Sequence, residues 1–130
     1  MSFALAFAAM SGAAALPEGE YSGRCDYPLE AREFVQQTVF AACDRLTISV
    51  EGGRVTIIFD GSALRDGVMF LGIVEDEGIA IEEVALESGD RDDATGTCEL
   101  RYSNDALSGA TCFAQGRRLA YAGSIRIARD

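Results

Sequence analysis

Residues 46–59, LTISVEGGRVTIIF, alternate apolar and polar side chains on both sides of Gly52-Gly53. Few patterns restrict a fold more. A period of two sends successive side chains to opposite faces of a strand, and a Gly-Gly pair supplies the positive φ values of a two-residue hairpin turn. Pairing Glu51 with Arg54 sets the register: Val50 faces Val55, Ile48 faces Ile57 and Leu46 faces Phe59. The other face carries Thr47, Ser49, Glu51, Arg54 and Thr56, as in an antiparallel sheet wet on one side.

Downstream, VMFLGIV (68–74) and IAIEEVAL (79–86) read as a second hairpin with weaker alternation. ESGDRDDATG (87–96) reads as a polar connection rich in turn formers. TCELRYS (97–103) and GATCFAQ (109–115) make a third hairpin, and RLAYAGSIRIA (118–128) ends the chain as a strand. In that last run Leu119, Tyr121, Ile125 and Ile127 share one face, and Arg118, Ser124 and Arg126 the other. GEYSGRC (19–25) is an early strand with Tyr21, Gly23 and Cys25 on one face. Between Pro28 and Ala42, apolar residues recur at helical spacing, which predicts one short helix near residues 29–36. The expected fold is all-β and mainly antiparallel, a small meander barrel or sandwich of about eight strands. Closure would set the last strand beside the first and remove exposed edges.

Cysteines occur at 25, 43, 98 and 112. An even count in a small exported chain predicts two disulfides, Cys25 with Cys43 and Cys98 with Cys112. A zinc site is disfavoured by the absence of histidine and of any C-x-x-C pair. Setting Cys98 opposite Cys112 puts Leu100 opposite Ala110 and Tyr102 opposite Ser108, with 103–107 as a five-residue loop. Tyr102 and Leu119 are then expected to point inward, and Phe113 outward.

Residues 1–15 combine an apolar run, Phe3 to Met10, with a small-residue stretch, the layout of a secretory signal. Residues 16–130 are expected to form one disulfide-stabilised β domain, periplasmic or secreted. No membrane span is expected after signal cleavage, because a span needs about 20 apolar residues and Ser11-Gly12 interrupts this run. The net charge of −10 argues against nucleic acid and anionic lipid as partners.

Catalytic signatures are missing: there is no histidine, nucleophile elbow, S-x-x-K pair, P-loop or dinucleotide fingerprint. Neither an enzyme nor a cofactor is expected. Asp90, Asp92 and Asp93 offer carboxylates to calcium, but their spacing is not that of an EF-hand and a solvated turn is the simpler reading. The expected function is binding of a periplasmic or extracellular protein, inhibitor-like, with Phe113 as an interface anchor. The alternative is a barrel whose interior holds a small apolar ligand. An early Gly19-Glu20-Tyr21 with a late Arg126 resembles the calycin barrels, where an N-terminal G-x-W is backed by a basic residue of the last strand. Here Tyr replaces Trp, and the resemblance covers only these positions.

Overall fold

Nine strands are found among the described residues: β1 (Gly19–Cys25), β2 (Thr38–Phe40), β3 (Arg45–Glu51), β4 (Arg54–Asp60), β5 (Val68–Glu75), β6 (Gly78–Leu86), β7 (Arg91–Ser103), β8 (Ala106–Gln115) and β9 (Ala120–Ile127). The computed structural model describes residues 16–27, 37–61, 66–76 and 78–128. The expected signal (1–15) and helix (29–36) lie outside the described residues. From β3 to β9 each strand pairs antiparallel with the next. β1 completes the ring by dividing itself: Gly19–Ser22 pair with β3, and Gly23–Cys25 with β9. The result is a closed eight-stranded antiparallel barrel, with β2 added parallel to the first half of β9.

Gly23 stands where β1 changes partners. Its N–H donates to the Asp44 carbonyl at 3.0 Å, and a Cβ there would run into the Arg126 carbonyl. The Gly-Gly hairpin has the expected register residue for residue. Both disulfides form as expected, Cys25 with Cys43 and Cys98 with Cys112.

Inside the barrel, Leu46, Ile48, Val55, Ile57, Phe59, Val68, Phe70 and Ile125 are fully buried. The Phe59 ring meets Phe70 edge-on at 5.7 Å between centroids and lies against Gly123, where an added Cβ would sit 2.7–2.9 Å from three ring atoms. One end is closed by Ala41, Ala42 and Cys43, all fully buried. There the Tyr27 hydroxyl donates to the Ala41 carbonyl at 2.8 Å, and its ring meets Phe40 edge-on.

Four expectations are corrected. Residues 91–96 are strand rather than connection, because β6 and β8 both pair with them, and ladder partners override turn composition. Past Leu100 the third hairpin shifts register by a bulge between Arg101 and Tyr102, so Tyr102 faces Leu107 instead of Ser108. The five-residue loop thereby shrinks to Asn104-Asp105, both at positive φ (53° and 67°), as a two-residue primed turn demands. Tyr102 and Leu119 are not enclosed: they stand at barrel ends, 52% and 37% exposed. Finally, Arg126 does not back Tyr21. It faces outward beside Arg24 while Tyr21 has the opposite parity and packs on the core.

Candidate functional site

On a barrel the inward alternate residues make the core, so the outward ones decide what the molecule can touch. Across β3–β6 the outward rows are Thr47, Ile58, Met69 and Ala85, then Ser49, Thr56, Leu71 and Glu83, then Arg54, Ile73 and Ala80. A sheet face that meets only water alternates with polar side chains. Here Ile58, Met69, Leu71 and Ile73 form a half-buried apolar stripe instead. Three exposed ion pairs frame it: Arg45 with Asp60 at 3.0 Å, Arg54 with Glu82 at 3.2 Å and Arg91 with Glu83 at 2.9 Å. Such pairs add little stability, and their charges stay open to a partner.

One end of the stripe opens into a cleft of about 460 Å³. Its floor is Ile58, Met69 and Ala85; Arg45, Asp60 and Glu87 stand around it. The Glu87 carboxylate accepts the Gly67 N–H at 2.9 Å, which ties the chain entering β5 to the end of β6. Chemically the cleft combines an apolar floor with charges of both signs at its rim.

Phe113 points outward as expected, 47% exposed, in the lateral row Ile73, Ala80, Thr97, Phe113. It is separated from the apolar stripe by Ala80 and Thr97. The structure does not bring Asp90, Asp92 and Asp93 together. Asp92 accepts the Tyr121 hydroxyl at 2.8 Å, whereas Asp93 is exposed opposite Glu83. Among the described residues no three acidic, Cys or His side chains are grouped to hold a metal ion.

Burial, and secondarily the hydrogen bond to Asp92 and the negative charges of Asp92 and Asp90, push the Tyr121 phenol up to about 12. Burial also raises Tyr102, with Tyr21 as a second cause. Because the unfolded phenol ionises near pH 10, the unfolded chain loses this proton first. The stabilisation from Tyr121 is therefore fully present below pH 10 and is lost as pH rises from 10 to 12. Spectrophotometric titration at 295 nm should show a tyrosine step displaced upward to about pH 12, and Tyr121→Phe should remove that late step. A late step that persists in Tyr121→Phe would refute the assignment.

The stripe and cleft escaped sequence reading because Ile58, Met69 and Ala85 become neighbours only through strand order. One signal was present: VMFLGIV is apolar at successive positions, the mark of a strand covered on both faces. Comparisons with protein-family models, with curated proteins and with solved structures return no match.

Proposed function

We propose that this protein is an exported, non-enzymatic β-barrel, periplasmic or secreted, that binds a protein partner in the manner of an inhibitor. The observation that carries this reading is the apolar stripe Ile58, Met69, Leu71 and Ile73, set beside its cleft and framed by ion pairs. Two disulfides fit an oxidising compartment. A chain without histidine, whose four cysteines are all bonded, lacks the commonest general base and any thiol nucleophile. The interior is occupied by the protein's own side chains, which favours a contact surface outside the barrel over a ligand within it.

The occupant is a folded protein carrying one apolar anchor for the cleft and mixed charges around it. By strand spacing the stripe measures about 10 by 14 Å, far below the roughly 800 Å² per partner of a standard interface. It is too small to hold two copies of this chain together by itself. It is sufficient for one inserted anchor, which supplies much of the energy in such contacts.

The test compares wild type with Met69→Glu/Ile73→Glu, both isolated from their own oxidising compartment and weighed by native mass spectrometry. A defined protein mass should accompany wild type and be absent from the variant, which keeps both disulfides and its melting temperature. A dimer of this chain dispersed by the substitutions, or a small molecule retained by both forms, would overturn the reading.

A further inference from the structure

The chain has eleven basic residues, all arginine, against twenty-one acidic ones. Three of the eleven fall in a single lateral row on the outer face, away from the apolar stripe. Arg101 of β7 is opposite Gly109 of β8, Gly109 is opposite Arg126 of β9, and Arg126 is opposite Arg24 of β1. Like charges directly opposite across strands are destabilising, so nothing in the fold itself calls for Arg24 beside Arg126. Arg24 has no ion pair among the described residues. The other two reach carboxylates only at long range, Arg126 to Asp26 at 3.4 Å and Arg101 to Glu99 at 3.6 Å, and all four side chains are exposed.

Hydroxyls surround the row. Arg101 donates to the Thr111 hydroxyl at 2.8 Å, and that oxygen lies 2.8 Å from the Ser124 hydroxyl, a buried group. These bonds aim the guanidinium along the sheet. Gly109 leaves room for it: a Cβ there would sit 2.8 Å from Arg101 Nη2. Two hollows of about 380 Å³ flank Arg126. One is lined by Arg101, Ser103, Ser108 and Asp26, the other by Gly23, Arg24 and Ala128.

We propose that the row Arg101, Arg126 and Arg24 is an oxyanion-binding site for a ligand bearing two or more phosphate or carboxylate groups. Neighbouring strands lie about 4.8 Å apart, so Arg24 and Arg126 can clamp one anionic group from both sides, and Arg101 can hold a second about 10 Å away. Planar guanidinium forks match both kinds of group. The site is independent of the protein-binding reading.

The test is isothermal titration calorimetry of the full chain with inorganic phosphate, pyrophosphate and citrate at fixed ionic strength. Pyrophosphate should bind more tightly than phosphate. Arg126→Gln should weaken it about tenfold or more, as loss of a charged hydrogen bond implies. Arg24→Gln should also weaken it while leaving the melting temperature unchanged or raised, which separates lost binding from lost fold. Arg118→Gln, an exposed position in the turn between β8 and β9 at the opposite end of β9 from Arg126, should leave binding intact. Binding of citrate alone would keep the site and assign it to carboxylates. Binding of none of the three, or equal weakening by Arg118→Gln and Arg126→Gln, would overturn it.

Discussion

Phe59→Ala is expected to lower the unfolding free energy by about 3–5 kcal/mol, the usual cost of deleting a buried aromatic ring. For a domain with a total of about 5–15 kcal/mol, that is a large share. The ring is fully buried, touches Phe70 and spans the barrel to Gly123, so the hole cannot close by a local shift. The same contact makes a sharper prediction. Gly123→Ala places a methyl group against the ring and should cost about 1–3 kcal/mol by overpacking. In a Phe59→Leu background the added methyl should be nearly neutral. Urea denaturation of the two single variants and the double variant would measure the coupling, expected at about 0.5–3 kcal/mol. Strict additivity would mean that the ring does not lie over Gly123.

Breaking the disulfides should be as damaging. The bridges close loops with sequence separations of 18 and 14, and the chain-entropy estimate gives about 3 kcal/mol for each. Replacing either pair by alanine should lower the unfolding free energy measured by urea denaturation by about 3 kcal/mol. Removing both, or adding a strong reductant, should take away about 6 kcal/mol and populate the unfolded chain. A reduced protein that keeps its midpoint would show that the barrel stands without its bridges, and would weaken the argument for an oxidising compartment.

How legible the fold was depended on how local its determinants are. Residues 46–59 could be read to the last pair, since the alternation and the turn residues lie within one segment. Cysteine parity placed Cys98 opposite Cys112 and Phe113 outward, correct until the bulge after Arg101, which no residue type announces. The weak alternation of β6 has a similar cause: a bulge between Ile81 and Glu83 reverses parity, so Ile79, Ile81 and Val84 all face inward. Asp90 to Gly96 looked like a turn because its residues favour turns, yet two neighbouring strands hold most of it in the sheet. The binding surfaces were least legible. Arg24, Arg101 and Arg126 come from three distant strands, and only closure of the ring aligns them.

That closure also has a temporal side. β1 must satisfy β3 with its first half and β9 with its second, and the whole meander lies between those partners in sequence. Barrels dominated by such distant contacts fold slowly, over milliseconds to seconds. Until β9 is in place, the edges of β3 and β9 are free to recruit strands from other chains. Once formed, the Cys25–Cys43 bridge tethers the end of β1 beside the entry to β3, leaving only β9 to find. In kinetic terms β1 is a latch held half shut by a covalent tie, and Gly23, the one position where it can change partners, is where the ring snaps closed.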